Sequence, residues 1–593
     1  MANTVSVVEK PIPEKVSKEA YVLGIQDDGS GKQALYRLPL NEVRANGAND
    51  LFIIPALIEQ YGTKQAFTVF VNANAEYDSL TNLADRFFKA AASAVTQTYT
   101  SQFYRYNTSN SSLGTKMADN EGLVCTPSTI ATAGQDDYAD LPLFACFDVN
   151  YTIDANSLEP VIHAIKGVYG AFTAQPVDSF VGVMQMTGYV RRSGDETTKT
   201  VEYKAQYAEG FMPLPEAVRA SDNGVRGFVI HAKYAAGFDA NGLLSSVSGV
   251  QPATYRPGSE GSASISHNGQ INLWRARGNQ YAGSSLCDSA FMQLMLEIKY
   301  AELGNNAVMK GCQYYYTTTA IAAVSESGVN RIVLTASNAN YFIVGSRVSI
   351  GTGTDRAKAT CYDVHDIATI ASIEDVTIDG TAYKAVVLDT EAVFNTEAGV
   401  HYLVPQPWLT GSTDGVQGND GSPYSNTNGK EPFKIQGIEV LLGMYEVLGD
   451  ITLYEDAEVG YTVYADRKAA DIVSGKAGAN AVTLGIIPKE EAAAWKYNAE
   501  LNWDANNQES YMIPTQFNGT STTGYRSATY RDALATVGWR EWPAVGSLDY
   551  GGNCGLACAY LNCALGSASW LIGARPCGSG GNRGEFTPAV AGV

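Results

Sequence analysis

Histidine and long apolar runs are scarce in this 593-residue sequence, and their scarcity excludes several classes of protein. The five histidines form no HxxxH or HExxH pattern, so neither a zinc hydrolase nor a Ser-His-Asp site is predicted. They lie at His163, His231, His267, His365 and His401. A Walker A motif is absent as well. No run of 18 apolar residues occurs, so we expect no membrane insertion.

Targeting signals and a surplus of positive charge are also missing. The first 20 residues contain acidic residues and prolines but no apolar stretch, so we expect no signal peptide. Lys and Arg total 41 against 61 Asp and Glu, a formal net charge of −20. Such an acidic chain is a poor general binder of nucleic acid or of anionic membranes. Nine cysteines in 593 residues are too few for a disulfide scaffold.

The residues that are plentiful predict a β-rich chain with a buried core. Hydrophobic residues make up 45% of the sequence, with 58 Gly and 35 Tyr. This composition is typical of strands joined by many turns. The length predicts several domains rather than one. We therefore expect an α+β, β-rich multidomain fold.

The order of patterns along the chain predicts four parts. Residues 1–50 are expected to form an N-terminal arm, and 51–205 a mixed α/β domain. Residues 206–312 together with 406–593 are expected to form a second domain, interrupted by a small inserted β-domain at 313–405. Helical spacing of apolar residues predicts helices over Asp78–Thr96 and Cys287–Leu303, and Asp379-Gly380 predicts a hairpin turn.

The C-terminal segment differs in composition from the rest of the chain. Residues 511–593 hold five Arg, no Lys and four acidic residues, a net charge of +1, so the first 510 residues carry about −21. The same segment holds three of the seven Trp and many Gly. Trp, Tyr and Arg dominate protein-binding hot spots, so this nearly neutral segment is predicted to carry a recognition face.

Three segments of the second domain together resemble a known fold family. They are Ile271–Asn279 with the following helix, Ser425–Glu439, and Gly551–Arg575. This arrangement resembles the C-type-lectin-fold domain shared by formylglycine-generating enzymes and by bacteriophage receptor-binding variable proteins that diversity-generating retroelements rewrite. The stretch Gly443–Leu448 departs from the enzymes of the family because it has no Trp.

The resemblance implies a protein of a bacteriophage particle, in a tail fibre or a head fibre. Residues 51–205 would be the virion-attachment domain that contacts other virion proteins. The C-terminal lectin-fold face would bind a bacterial cell-surface protein or glycan, on the virion surface and as a homotrimer. The resemblance also implies assembly in the host cytoplasm. We expect no enzyme activity, no cofactor and no metal.

Individual side chains of the C-terminal segment are candidates for contact and for support. The candidate ligand contacts are Trp539, Arg540, Trp542, Asp549, Tyr550, Asn553, Tyr560, Asn562, Ser569 and Trp570. The candidate scaffold residues are Gly551, Gly552, Gly573 and Arg575, where Gly permits tight turns and the planar Arg fork holds several carbonyls. Diversification is expected between Trp539 and Trp570, sparing the scaffold.

Two alternative functions remain at this stage. Cys558 and Cys563, spaced C-x4-C, match the copper-binding cysteine pair of formylglycine-generating enzymes, and soft thiolates suit Cu(I). The chain is alternatively a purely structural virion component whose C-terminal face is buried in the particle. The acidic loop at 414–421 carries oxygen ligands for Ca²⁺, but a plain solvated loop is the favoured interpretation.

Overall fold

A computed structural model describes residues 21–27, 33–39, 50–314, 320–505, 507–532 and 537–588. Most of the expected arm at 1–50 lies outside these residues. Within them the chain is β-rich, with helices and mainly antiparallel sheets, which confirms the coarse prediction of fold class. Among the described helices, none combines the length and the apolar character that a bilayer crossing requires.

The helices fall mainly at two places, before residue 95 and between 267 and 300. Seven α-helices are described: α1 Asp50–Tyr61, α2 Thr63–Asn74, α3 Leu80–Ala94, α4 His267–Arg275, α5 Leu286–Tyr300, α6 Ala336–Ala339 and α7 Gln508–Tyr511.

The strands are short and divide into three groups along the chain. The first group is β1 Tyr21–Asp27, β2 Gln33–Pro39, β3 Thr98–Tyr104, β4 Thr115–Ala118, β5 Cys146–Ile153, β6 Pro160–Ile165, β7 Phe180–Met186, β8 Tyr189–Gly194, β9 Thr198–Lys204, β10 Met212–Pro213, β11 Phe228–Ala232, β12 Ala236–Phe238 and β13 Leu244–Ser246. The inserted group is β14 Glu326–Val329, β15 Arg331–Leu334, β16 Arg347–Gly351, β17 His365–Ile378, β18 Thr381–Leu388, β19 Phe394–Thr396 and β20 Tyr402–Gln406.

The C-terminal group consists mostly of strands of two to four residues. It comprises β21 Phe433–Ile435, β22 Ile438–Val440, β23 Tyr445–Val447, β24 Ile451–Asp456, β25 Gly460–Ala465, β26 Val482–Pro488, β27 Ala494–Tyr497, β28 Glu500–Leu501, β29 Pro514–Gln516, β30 Ala528–Arg531, β31 Gly538–Arg540, β32 Pro543–Ala544, β33 Ala559–Tyr560 and β34 Ile572–Gly573.

In the N-terminal half, α3 packs against a four-stranded sheet of order β11-β7-β5-β6, and α1 and α2 pack against α3. Helix α3 forms where predicted: the Ser79 hydroxyl caps its first turn by accepting from the Asn82 N–H. Phe67 and Phe87 meet edge to face at 4.9 Å between ring centroids, and Phe147 of the sheet lies 4.5 Å from Phe67. These rings bury the apolar face of the helices on the sheet.

One hydrophobic core joins the two expected domains on either side of residue 205. Strand β11, beyond that residue, pairs with β7 before it, and β10 pairs with β8. The same core runs on to the C-terminal segment as far as Ala574. The expected boundary at 205/206 therefore falls inside a shared sheet and a shared core.

The inserted region has its own five-stranded sheet, of order β15-β18-β17-β16-β20. The β17–β18 hairpin turns at Asp379-Gly380, where both residues have positive φ, as a type I′ turn requires. Its core is closed by residues outside the insert, including Leu442, Met444 and Leu548. The insert is thus docked on the C-terminal body by apolar contact.

Helix α5 runs through the centre of the molecule with all residues from Leu286 to Lys299 buried. Ser285 is its N-cap and Asp288 completes a capping box, so Asp288 supports the cap rather than forming it. The helix ends at Ala301, which adopts the left-handed conformation in place of the expected Gly304. Lys299 lies in the last turn, where the helix dipole favours a positive charge.

The Asp420 carboxylate holds the C-terminal end of α5. Lys299 Nζ lies 2.6 Å from one oxygen of Asp420, and the Tyr300 hydroxyl donates to the same oxygen at 3.0 Å. The Gln436 N–H donates to the other oxygen at 2.5 Å. Burial raises the pKa of Asp420, but the Lys299 ammonium and these hydrogen bonds outweigh it and hold that pKa below its ordinary value.

Replacing Asp420 by Asn is expected to lower the free energy of unfolding by about 3 kcal/mol, because the buried Lys299 ammonium loses its main partner. Asp375→Asn is the matched control: its exposed carboxylate pairs with Lys384 at 2.8 Å, and its loss is expected to cost less than about 0.5 kcal/mol. Denaturant unfolding at pH 7 measures both changes. Since the pKa of Asp420 is lowered, its contribution is present above about pH 4 and is lost as the pH falls further. Equal stability of the two variants would contradict this role.

Candidate functional site

Five aromatic rings gather on the six-stranded sheet of order β27-β30-β33-β32-β23-β34, and we call them the aromatic cluster. Its members are Tyr445, Trp495, Tyr530, Tyr550 and Tyr560. Tyr560 lies at the centre, with its ring centroid 5.7 Å from that of Tyr445 and 5.6 Å from that of Trp495. Tyr530 lies 5.0 Å and Tyr550 5.9 Å from the same ring.

The sheet order brings these rings together from distant parts of the sequence. Strand β30 lies between β27 and β33, and it pairs with β33 in parallel, placing Tyr530 opposite Tyr560. On the other side β27 pairs antiparallel with β30, placing Trp495 opposite Tyr530. Cross-strand aromatic pairs stabilise a sheet, and here they form a ridge across three strands.

The five rings of the cluster differ in exposure. Tyr445 is buried, whereas Trp495, Tyr530, Tyr550 and Tyr560 are each partly exposed. Burial raises the pKa of the Tyr560 hydroxyl above its ordinary value, so it stays protonated at neutral pH. The cluster therefore offers uncharged rings and hydroxyl groups that both donate and accept hydrogen bonds.

Small and amide residues border the cluster. Asn562 is exposed and Asn553 is partly exposed, and the Asn553 N–H donates to the Tyr550 carbonyl at 3.2 Å. Gly551 has φ 54°, a left-handed conformation that glycine adopts without strain. Thus four of the ten candidate contacts, Tyr550, Asn553, Tyr560 and Asn562, lie at one place.

The other candidate contacts lie elsewhere. Trp539 packs on Tyr454 and Tyr464 of the neighbouring sheet, at centroid distances of 5.2 and 5.6 Å. Trp542 is 3% exposed and belongs to the hydrophobic core, and Arg540 is buried in an ion pair with Glu455 at 2.6 Å. Trp542 and Arg540 are therefore interior residues, because burial of the ring and of the ion pair leaves no face for a ligand.

Asp549, Ser569 and Trp570 lie partly exposed, the first and last of them toward the inserted domain. Trp570 packs on the apolar core of the insert, and the Arg356 guanidinium lies 4.1 Å from its ring centroid. Burial raises the pKa of Asp549, and the charge of Arg356 partly offsets this effect. The Ser569 carbonyl accepts from the Tyr255 N–H at 3.4 Å. Asp549 and Trp570 thus mark the junction between the body and the insert.

Arg575 ties the segment that carries the cluster to the centre of the molecule. Its guanidinium makes two parallel bonds to Glu446, at 2.8 and 2.7 Å. It also donates to the carbonyls of Ala232, at 3.0 Å, Lys233, at 3.2 Å, and Glu439. Such a bidentate fork with further carbonyl acceptors is a geometry that lysine cannot reproduce.

The candidate scaffold glycines lie where a side chain would collide. A Cβ at Gly573 would meet the sulfur of Met444, and a Cβ at Gly552 would lie 2.9 Å from the Tyr314 hydroxyl. Tyr314 and the upstream cluster members were not among the candidates from sequence. A signal was available for one of them: Trp495 and Tyr497 alternate in β27, a period that places both rings on one face.

Cys558 and Cys563, the candidate copper pair, are buried free thiols. Burial raises the pKa of both thiols above the ordinary value, whereas a thiolate ligand or nucleophile needs a lowered one. Within the described residues, neither joins a group of three potential metal ligands. Burial and the raised pKa therefore give no support to a copper site at this pair.

One group of three potential metal ligands does form among the described residues, from Cys125, Asp136 and Asp420. Lys299 Nζ lies 2.6 Å from Asp420 and 3.2 Å from Asp136, so a single ammonium already pairs with both carboxylates. Asp414, in the acidic loop considered for Ca²⁺, pairs with Lys233 at 2.9 Å. A structural ion pair explains both places.

Two clefts of the described residues lie apart from the cluster. One, of about 850 Å³, is lined by residues that include Arg105 and Asp504, and the other, of about 410 Å³, is bordered by α1 and α3. The cluster is an open surface rather than the wall of either cleft.

Cys558 and Cys563 are expected to resist alkylation by iodoacetamide at pH 8 until the chain unfolds, because both thiols are buried and protonated. Peptide mass spectrometry in native and in denaturing buffer measures the labelling. The double variant Cys558→Ala, Cys563→Ala is expected to bind Cu(I) no differently from the unchanged chain. Rapid labelling of both thiols in the native protein would contradict this expectation.

Neither a scan against protein-family models nor a search of curated proteins finds a match to this chain.

Proposed function

We propose that this chain is a recognition protein of a bacteriophage particle, and that its C-terminal lectin-fold part binds a bacterial surface molecule through the aromatic cluster. The observation that carries the recognition role is the cluster itself, with four partly exposed rings fixed on a sheet and bordered by amides and glycines. The bacteriophage context comes from the sequence resemblance of Gly551–Arg575 and its partner segments.

The chemistry of the cluster favours binding over catalysis. Tyr and Trp bury much area with few rotatable bonds, and Asn and Gly supply adaptable hydrogen bonding and close approach. The rings stack on one another, so little side-chain entropy is left to lose on binding. Multiple copies on a particle would raise the avidity without any new contact.

The purely structural alternative differs from recognition in what covers the cluster. In a structural component the rings would be buried against other virion proteins, whereas in a recognition protein they face the host cell. A cell-binding measurement with the isolated chain therefore separates the two functions.

Trp495→Ala is expected to weaken binding of the bead-displayed chain to bacterial cells at least tenfold, because it removes the ring at the edge of the cluster. The measurement is adsorption of beads to a panel of intact bacterial strains, in which strains that bind the unchanged chain serve as the probe. Trp495 lies on an edge strand, so the fold is expected to persist, and circular dichroism checks it.

Tyr104→Ala is the matched control, because Tyr104 is an exposed aromatic residue of the N-terminal half. It is expected to leave adsorption unchanged within twofold. Recognition by the cluster is refuted if no strain binds the unchanged chain. It is also refuted if the Trp495→Ala variant adsorbs as strongly as the Tyr104→Ala control. Protection of the cluster from proteolysis and labelling within intact particles would then support the structural alternative.

A further inference from the structure

The aromatic cluster exposes less surface than a stable protein interface requires. A large aromatic side chain offers about 150–250 Å². The four partly exposed rings of the cluster are each more than half buried, so together they present less than about 500 Å². A specific protein–protein interface of standard size buries about 800 Å² on each partner. If the partner is a protein, the contact must continue onto neighbouring residues.

Tyr314, at the start of the inserted region, borders the cluster directly. A Cβ built at Gly551 would lie 3.0 Å from its ring, and one at Gly552 would lie 2.9 Å from its hydroxyl. The Gly551 N–H also donates to the Gln313 carbonyl at 3.0 Å. Tyr314 is 45% exposed, so the apolar surface continues from the cluster onto this residue.

The loop at 424–431 contacts both Tyr314 and the part of the inserted domain around Asn340. The Tyr314 N–H donates to the Gly429 carbonyl at 2.6 Å, and the Lys430 ammonium donates to the Asn340 carbonyl of the insert. A Cβ at Gly345 would lie 3.8 Å from the ring of Tyr424. These contacts join three separate segments of the chain into one stretch of surface.

Large apolar side chains are exposed along this stretch. Tyr424 is 59% exposed, and Tyr341 and Val344 are each 44% exposed. We call Tyr314, Tyr341, Val344 and Tyr424 the adjoining surface. Such a contiguous exposed apolar patch marks an interaction site more often than scattered single residues do.

We infer that the aromatic cluster and the adjoining surface form one composite contact face, and that this face takes a folded protein whose contact region is largely uncharged. The inference rests on the proposed recognition function and adds the inserted domain and the class of partner. Two observations favour a protein over a free saccharide. The face is open, whereas small ligands are bound in concave sites that bury most of their surface. The side chains named in the cluster and in the adjoining surface are Tyr, Trp and Val, none of them charged, with Asn and Gly at the border, a composition typical of protein-binding paratopes.

The test compares three variants of the full chain on bacterial cells that bind the unchanged chain. The double variant Tyr341→Ser, Tyr424→Ser is expected to weaken adsorption about tenfold. The single variant Tyr424→Ser is expected to weaken it at least threefold, and it keeps the test valid if the double variant misfolds. Val393→Ser is the matched control on the inserted domain that carries Tyr341, 67% exposed but outside the adjoining surface, and is expected to change adsorption less than twofold.

The class of partner is tested by treating the same cells before adsorption. Treatment with proteinase K is expected to abolish binding of the unchanged chain. Treatment with periodate, which oxidises vicinal diols of glycans, is expected to leave that binding unchanged. Loss of binding after periodate but not after proteinase K would overturn the inference of a protein partner.

The outcomes separate this inference from the proposed function. If Trp495→Ala loses binding while the Tyr341 and Tyr424 variants retain it, the composite face is refuted and recognition by the cluster stands. If Trp495→Ala and the Tyr341 and Tyr424 variants all bind like the unchanged chain, or if the unchanged chain binds no strain, both are refuted.

Discussion

The buried Arg575 guanidinium is the interaction on which the C-terminal half depends. It joins Glu446 in β23 to the carbonyls that end β11 and to Glu439 in β22, so a single side chain fixes three separate segments. Short strands of two or three residues have few ladder hydrogen bonds of their own. The buried Arg575 guanidinium, with all its hydrogen-bond partners in place, fixes the relative positions of these short strands. Removing one partner would leave a buried charge uncompensated.

This arrangement explains how a segment of such short strands presents a rigid face. The segment next to Arg575 contributes β34, which pairs in parallel with β23, and β23 carries the buried ring of Tyr445. The Tyr445 ring in turn packs beside Tyr550 and Tyr560, at centroid distances of 5.8 and 5.7 Å. Tyr550 and Tyr560 therefore pack against a buried ring whose chain neighbour, Glu446, is fixed by the ion pair with Arg575. Rings ordered before contact lose little entropy on binding, which is the physical basis of preorganised recognition.

Local patterns in the sequence predicted the local structure well. Helix α3 and helix α5 followed from apolar spacing of 3.6 residues, and the turn at Asp379-Gly380 followed from residues that tolerate positive φ. The candidate site was predicted only in part. Tyr550 and Tyr560 lie in the cluster, but Trp495 and Tyr530 reach it through sheet neighbours that the sequence order does not reveal. Trp542 was a candidate contact but lies in the core, because composition alone cannot distinguish a buried core ring from an exposed contact ring.

The most direct test of the account is hydroxyl-radical footprinting of the unchanged chain, free and bound to bacterial cells. The account predicts that binding protects Trp495, Tyr550 and Tyr560 from oxidation, while Trp539, on the neighbouring sheet, is oxidised equally in both states. Protection of Trp539 or of the N-terminal half, with the cluster oxidised as in the free chain, would contradict the claim that the aromatic cluster is the contact face.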